Sequence, residues 1–141
     1  AVDLSPAYVR FAKQRFIDLK NVDFLTADAE KLPFKANTFD AVVAVYMHHE
    51  LPQKVREKVI DESLRVCKKS GFWGMVDSIQ LGDDPKLDWA IKDFPKHFHE
   101  PFFTNYIKNP IVDYLSQKPK GRNFTQQSFL LSKIVHSGLK S

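Results

Sequence analysis

The sequence predicts an α/β fold with a Rossmann-like, doubly wound and mostly parallel sheet. Over the first 78 residues, apolar runs rich in β-branched residues alternate with amphipathic helical patterns, which is typical of βαβ units. The run at residues 39–47 is apolar enough for a strand buried on both faces, as in a parallel sheet. A third observation is that residues 79–119 depart from this alternation, which predicts a helical insert before the last strand.

The first elements are a strand and a helix. Residues 1–4 are predicted to end a buried strand, and Ser5 and Pro6 form a favourable helix entry. We expect the helix to end near Asn21. Its buried face is predicted from apolar side chains at helical spacing. These side chains are Tyr8, Phe11, Ala12, Phe16 and Leu19.

Two more strands, a longer helix and a fourth strand complete the alternating part. The strands are expected at residues 22–27 and 39–47, with a loop between them, and the fourth at residues 71–78. The helix after Pro52 is predicted to end at Lys68, Lys69 and Gly71, because cations and a glycine favour a helix C-terminus. Its apolar stripe consists of Val55, Val59, Ile60, Leu64 and Cys67.

The insert is rich in proline and aromatic residues. It holds five of the eight prolines, and its aromatic residues are too numerous to remain exposed to solvent. Short helices are expected at about residues 86–94, 101–108 and 110–116, and the aromatic residues either cap the sheet or line an apolar pocket. A last strand is expected at residues 129–136.

The composition is that of one folded domain. The chain has 141 residues, 43% of them hydrophobic, with a net charge of +4. The single cysteine, Cys67, excludes an intrachain disulfide and is predicted to be a small buried side chain. No apolar run reaches about 18 residues, so no membrane span is expected, and no targeting segment is recognised.

Two carboxylates follow neighbouring strands of the predicted sheet. Asp3 ends the first strand and Asp28 follows the second. Ligands of doubly wound sheets bind at the carboxyl ends of the strands. There Asp3 can accept hydrogen bonds from both hydroxyls of a ribose, and Asp28 can accept one from an adenine amino group. Each residue alone also fits a cap or a turn, whereas the pair indicates a nucleoside that spans both strands.

Four segments follow one another in a recognisable order and spacing: AVDLSP, FLTADAEKLPF, NTFDAVVAVYMHHELP and RVCKKSGFWGMVD. Together they resemble the class I S-adenosylmethionine-dependent methyltransferases, in particular the ubiquinone and menaquinone biosynthesis group (type 11). The resemblance extends from residue 1 to about residue 78. A later stretch, DSIQLGDDPKLDWAIKDFPKHFHEP, resembles plastid and cyanobacterial members. The expected location is therefore the cytoplasm or the plastid stroma.

The resemblance implies S-adenosylmethionine as the methyl donor and assigns positions to it. Asp3 matches the residue at the cofactor ribose, Leu4 lies beside the adenine, Asp28 and Ala29 match the pair at the adenine edge, and Val45 matches the residue whose backbone approaches the methionine portion. Residues 1–78 would then be the cofactor-binding units, residues 79–119 the substrate-side insert, and residues 120–141 the terminal strand region.

The resemblance also shows a gap at the front of the chain. The family's first strand and Gly-rich loop have no match, because the first glycine is Gly71. In the family's sheet that strand lies between those matching residues 1–4 and 39–47. We therefore expect an N-terminally truncated domain that binds cofactor poorly on its own. The turn at residues 67–71, CKKSG, also lacks the family's proline and second glycine.

The implied reaction is methyl transfer to a small acceptor. Alignment of a nucleophile with the electrophilic methyl group is the main requirement, and a base is needed only if the acceptor carries a proton that must leave. His48, His49 and Glu50 are the candidate bases, although they also fit a surface turn. The aromatic insert predicts an apolar or aromatic acceptor, such as a quinone-like ring, in contact with His49, Trp89 and Phe103.

Three other functions stay open at this point. A truncated or degenerate domain without activity could serve as an interaction module. A metal site could form at residues 48–50 or 97–100, but neither HExxH nor CxxC spacing occurs, so no metal is expected. Methylation of nucleic acid rests only on the basic last third, where Lys108, Lys118, Lys120 and Arg122 carry most of the excess charge, and it is not expected.

Overall fold

The structure is a computed structural model, and it describes residues 1–118 and 122–138. Its α/β architecture confirms the predicted fold class. Pro119 and Lys120, at the predicted boundary of the insert, lie outside the described residues. The elements are β1 (Val2–Asp3), α1 (Pro6–Arg15), β2 (Leu25–Thr26), β3 (Phe39–Val45), a 3₁₀ turn (His48–Glu50), α2 (Gln53–Val66), β4 (Cys67–Ser78), α3 (Asp88–His97), α4 (Phe103–Lys108), α5 (Ile111–Ser116), β5 (Thr125–Phe129) and β6 (Ser132–Ser137).

The strands of the described residues form two sheets. The smaller sheet pairs β1 with β2 in parallel, with Val2 opposite Leu25. The larger sheet has the order β3-β4-β6-β5, in which β3 and β4 are parallel and β6 is antiparallel to both of its neighbours. Val45 pairs with Val76, so the carboxyl ends of β3 and β4 lie side by side. Within the described residues, β1 and β3 are each paired along one edge only.

The first helix begins as predicted but ends earlier and buries less. The Ser5 side chain accepts a hydrogen bond from the Tyr8 backbone N–H, and Pro6 occupies the first turn. The helix ends at Arg15 rather than near Asn21. The predicted buried face is wrong, because Tyr8, Phe11, Phe16 and Leu19 are exposed and Val9 is the only buried residue of α1. The reason is that β1 and β2 are two residues long and provide little surface for packing.

The third strand is partly exposed, contrary to the prediction. It ends at Val45 rather than Met47, and the side chains of Val43 and Val45 are exposed. These residues are two positions apart, so they lie on one face of the sheet. That face is uncovered by the described residues, whereas the side chains of Val42 and Ala44, on the opposite face, pack against the core.

The predicted C-terminus of the long helix belongs instead to the fourth strand. β4 already begins at Cys67, so Lys68, Lys69 and Gly71 lie in a strand. A Cβ atom on Gly71 would come within 2.7 Å of the Asp40 carbonyl oxygen. The glycine therefore permits the close approach of β4 to β3 rather than ending a helix. Cys67 is buried, as predicted, although it is a strand residue.

The core lies between the larger sheet, α2 and the insert helices. The insert forms short helices close to the predicted positions, and its aromatic residues Phe103 and Tyr106 are buried. The single last strand predicted at residues 129–136 is wrong, since a hairpin of β5 and β6 turns there at Leu130, whose φ is 52°. The buried cluster includes Ile60, Trp73, Met75, Ile91, Phe103, Tyr106, Ile107 and Val135.

The loop between β2 and β3 is held against α2. The Arg65 guanidinium donates hydrogen bonds to the carbonyl oxygens of Leu32 and Phe34, at 3.3 and 2.8 Å. The Glu62 carboxylate accepts one from the Leu32 N–H at 2.7 Å and is paired with Arg65 at 2.6 Å. These bonds connect the segment that follows the smaller sheet to the helix that packs on the larger one.

Candidate functional site

The predicted cofactor carboxylates lie at the carboxyl ends of adjacent parallel strands. Asp3 is opposite Thr26, and its carbonyl oxygen accepts a hydrogen bond from the Ala27 N–H at 3.1 Å. Oδ1 of Asp3 accepts a hydrogen bond from the Ser5 N–H at 2.7 Å, and Oδ1 of Asp28 accepts one from the Glu30 N–H at 2.8 Å. In each carboxylate the second oxygen accepts no hydrogen bond from a described residue, and both residues are exposed.

The other predicted cofactor residues are divided between the two sheets. Leu4 is exposed beside Asp3, and Ala29 is half-buried beside Asp28. Val45 is 59% exposed at the end of β3. The structure thus brings Asp3, Leu4, Asp28 and Ala29 to one edge of the smaller sheet, whereas Val45 belongs to the larger sheet.

A histidine–carboxylate pair lies at the carboxyl edge of the larger sheet. The chain leaves β3 through Tyr46, whose φ is 47°, and the 3₁₀ turn brings His49 over the end of β4. Nδ1 of His49 lies 2.6 Å from Oδ1 of Asp77, a fully buried residue of β4. Oδ2 of Asp77 accepts a hydrogen bond from the His48 N–H at 2.7 Å, and Oδ1 accepts one from the Ser78 N–H at 2.8 Å.

The charges of this pair stabilise each other. The hydrogen bond to Asp77 raises the pKa of His49 above its ordinary value and outweighs partial burial of the ring. Burial acts to raise the pKa of Asp77, but the hydrogen bond and charge of His49, together with the Ser78 N–H, hold it below its ordinary value. Asp77 is therefore an ionised carboxylate that only accepts hydrogen bonds, so Nδ1 of His49 is the donor.

Aromatic rings surround His49. The ring centroids of Tyr46, Phe103 and Tyr106 lie 6.4, 6.1 and 6.2 Å from that of His49, all in edge-to-face geometry. Phe103 is buried, and the Tyr106 hydroxyl donates a hydrogen bond to the Ser78 carbonyl. Of the two aromatic residues predicted at the substrate, Phe103 contacts His49, whereas Trp89 is 69% exposed on α3 and has no aromatic contact with a described residue.

The three candidate bases differ sharply in their surroundings. His48 is buried, neither ring nitrogen has a hydrogen-bond partner among the described residues, and burial lowers its pKa to about 4. Its carbonyl oxygen accepts a hydrogen bond from Nε of Arg56 at 2.9 Å, so its role is structural. The Glu50 side chain is 64% exposed, with Oε1 3.9 Å from Nε2 of His49. His49 is the only one of the three whose side chain lies within hydrogen-bond distance of a buried acid.

Sequence reasoning missed Asp77. The sequence did carry a sign of it, because Asp77 is a carboxylate at the end of an apolar strand, the same position that singled out Asp3.

The other histidine motif, at residues 97–100, lies away from this site. Nε2 of His97 is 2.9 Å from Oδ2 of Asp93 on the exposed surface of α3. Over residues 1–118 and 122–138, no group of three His, Cys, Asp or Glu side chains could hold a metal ion. None of the helices described is long and apolar enough to span a bilayer.

Comparison with known proteins identifies relatives of this chain. The model of a methyltransferase domain matches residues 1–71. The ubiquinone/menaquinone biosynthesis C-methyltransferase UbiE of Pseudomonas savastanoi is 36% identical over 139 residues, which are 96% of this chain and 53% of that protein. A fatty-acid O-methyltransferase of Mycolicibacterium smegmatis is 29% identical over 94 residues, 67% of this chain and 33% of that protein. The chain thus spans about half the length, or less, of these curated relatives.

The fold agrees with this match. A crystal structure of an S-adenosylmethionine-dependent methyltransferase from Aquifex aeolicus superposes with a TM-score of 0.68 at 20% identity, covering 97% of this chain and 66% of that one. The matched model spans half of the 141 residues and includes both carboxylates of the smaller sheet. The chain therefore belongs to the class I S-adenosylmethionine-dependent methyltransferases.

Proposed function

We infer that the protein transfers a methyl group from S-adenosylmethionine to a small apolar or aromatic acceptor. The observation that carries this proposal is the pair Asp3 and Asp28, at the ends of adjacent parallel strands, each with one carboxylate oxygen available. When bound, the cofactor supplies an electrophilic methyl group on its sulfonium.

The residues present fit the adenosine part of this cofactor. Oδ2 of Asp3 can accept hydrogen bonds from ribose hydroxyls while Oδ1 keeps the Ser5 N–H. Asp28 can accept one from the adenine amino group in the same way. Leu4 offers an exposed apolar side chain for the adenine ring, and Ala29 is small enough to let the ring approach. The backbone of Val45 is the proposed contact of the methionine portion.

The acceptor is proposed to bind beside His49. Phe103 forms an apolar wall next to the imidazole, and Trp89 is a second, more peripheral contact. His49 is the preferred base among the three candidates, because His48 is enclosed and Glu50 is held by no described residue except the weak approach to His49. The names of the relatives, a quinone C-methyltransferase and a fatty-acid O-methyltransferase, support a small apolar acceptor.

Calorimetric titration of S-adenosylhomocysteine into the full-length protein tests the proposal. The variants Asp3→Asn and Asp28→Asn retain an oxygen for the local backbone N–H but lose the negative charge. Each should weaken binding by about tenfold or more, because hydrogen bonds to charged groups contribute roughly 1.5–3 kcal/mol. Asp18→Asn, an exposed carboxylate beyond α1, is the matched control.

Two results would overturn the proposal. Unchanged affinity in both site variants would remove Asp3 and Asp28 from the cofactor site. Absence of binding by the unaltered full-length protein would instead favour the module without activity.

A further inference from the structure

We propose that Asp77 is the positioning residue of His49 and that it holds His49 as the base that takes a proton from the acceptor. This inference rests on the proposed function. It deepens that function by assigning a role to a residue outside the predicted site.

The geometry around Asp77 leaves little freedom to either side chain. The carboxylate is fully buried and fixed at both oxygens by the backbone N–H groups of His48 and Ser78. Because the carboxylate cannot rotate freely, its 2.6 Å contact with Nδ1 fixes the plane of the His49 ring. The Tyr46, Phe103 and Tyr106 rings restrict the same imidazole from the side.

This arrangement sets the tautomer of the neutral ring. Since Nδ1 donates its hydrogen to Asp77, the lone pair of the neutral imidazole resides on Nε2. Nε2 accepts no hydrogen bond from a described residue, and the nearest acidic atom is Oε1 of Glu50 at 3.9 Å. Nε2 is therefore available to take a proton from an acceptor.

A base at this position is useful only for some acceptors. As the acceptor X–H bond breaks, its proton passes to Nε2 of His49, and the electron pair left on X forms the new bond to the methyl carbon. The C–S bond of the sulfonium breaks, and its electron pair remains on sulfur. A thiolate needs no such base, whereas a phenolic hydroxyl does. Phe103 provides an apolar contact suited to a ring that carries this proton.

Several charged or titratable groups face His49 and enter its pH dependence. They come from its own turn, from β4 and from the segments beside it. They are His48, Glu50, Asp77, Glu100, Tyr46 and Tyr106. Among them Asp77 alone has an atom within hydrogen-bond distance of the ring, so its removal should have the largest effect.

The first test is NMR of the histidine rings in the full-length protein with S-adenosylhomocysteine bound. We expect His49 to titrate at higher pH than an ordinary histidine and to be protonated on Nδ1 when neutral. Asp77→Asn should lower its pKa, because the ring loses its hydrogen bond to a charged carboxylate, and should remove the single tautomer. The matched control is Asp93→Asn, which breaks the exposed His97–Asp93 pair and should leave His49 unchanged. An unchanged His49 in Asp77→Asn would overturn the positioning role, as would a neutral His49 protonated on Nε2 in the unaltered protein.

The second test is methyl transfer from S-adenosylmethionine to 1,4-naphthoquinol under anaerobic conditions between pH 5.5 and 9. We expect kcat to rise with pH as His49 loses its proton. Asp77→Asn should reduce the kcat plateau by about tenfold or more. It should also move the rise to lower pH, and His49→Gln should abolish the rise. Asp93→Asn should match the unaltered protein.

The outcomes separate this inference from the proposed function. If the protein binds S-adenosylhomocysteine but Asp77→Asn keeps the original pH profile and plateau, the inference fails and the proposed function stands. If it binds the cofactor product but does not methylate naphthoquinol, the acceptor class is wrong. If it does not bind, the proposed function itself fails.

Discussion

The two sheets hold their carboxylates in different ways. In the smaller sheet, Asp3 and Asp28 are exposed and bind backbone N–H groups two residues further along the chain. In the larger sheet, Asp77 is fully buried and binds His48 and His49, which are 29 and 28 residues away in sequence. Short-range contacts thus support the proposed cofactor residues, and long-range contacts support the proposed base.

The difference shows where the stability of this chain lies. The larger sheet carries the buried cluster around Trp73 and Met75, whereas α1 beside the smaller sheet buries only Val9. Changes at the larger sheet should therefore affect folding, and changes at the smaller sheet should affect binding with little effect on folding.

Truncating one aromatic residue beside each sheet should give the largest difference in the free energy of unfolding. Trp73→Ala removes a buried ring and its hydrogen bond to Ser63, and we expect a loss of about 3–5 kcal/mol in the free energy of unfolding. Phe11→Ala truncates a ring that is 65% exposed, and we expect a change within about 0.5 kcal/mol. Urea denaturation measures both, and equal losses would contradict the assignment of the core to the larger sheet.

The buried His48, beside the larger sheet, should make the stability of the folded chain sensitive to acid. Its pKa is lowered from 6.5 to about 4 by burial, so between these values the unfolded chain binds a proton that the folded chain does not. The contribution of His48 to stability therefore falls as the pH is lowered through this window, by roughly 2 kcal/mol between pH 7 and pH 5. His48→Leu should lose this contribution, and the exposed His97→Gln should keep it. Residues 1–38 contain no histidine, so the smaller sheet adds no such term.

The attachment of the β2–β3 loop to α2 should depend on Glu62. Glu62→Ala removes the acceptor of the Leu32 N–H and one partner of Arg65. We expect the Leu32 amide to exchange its hydrogen about tenfold faster, because in the variant it has lost its acceptor. Glu57→Ala on the same helix is the control, since the Glu57 side chain bonds only Gln53 among the described residues. Equal exchange in both variants would mean that the loop is held by other contacts.

A small effect on stability is expected at Asp3. Asp3→Ala removes the acceptor of the Ser5 N–H, an exposed hydrogen bond, and should cost about 0.5–1 kcal/mol. Asp3→Asn keeps that acceptor and should leave stability unchanged while it weakens binding of S-adenosylhomocysteine. Thermal unfolding with and without ligand distinguishes the two variants. A large loss of stability in Asp3→Asn would show that the carboxylate serves folding rather than binding.

Sequence reasoning succeeded where the deciding contacts are local. The order of the helices and strands from β1 to α5, the entry of α1 at Ser5 and Pro6 and the place of Asp3 and Asp28 after neighbouring strands follow from periodicity and capping, which act over a few residues. It failed for the strand boundaries that depend on pairing with another strand. β4 extends back to Cys67 because it pairs with β3 there, and the polar segment 125–128 becomes a strand because it pairs with β6.

The amino-acid sequence by itself determined the α/β class, the membership of the family and the two exposed carboxylates, because each of these is encoded in short segments of fixed spacing. The tertiary structure alone decided that the ring of His49, rather than that of His48, bonds an acid, and that the acid is Asp77. It did so because two parallel strands place their carboxyl ends side by side, which brings together residues far apart in sequence and excludes water from the carboxylate between them.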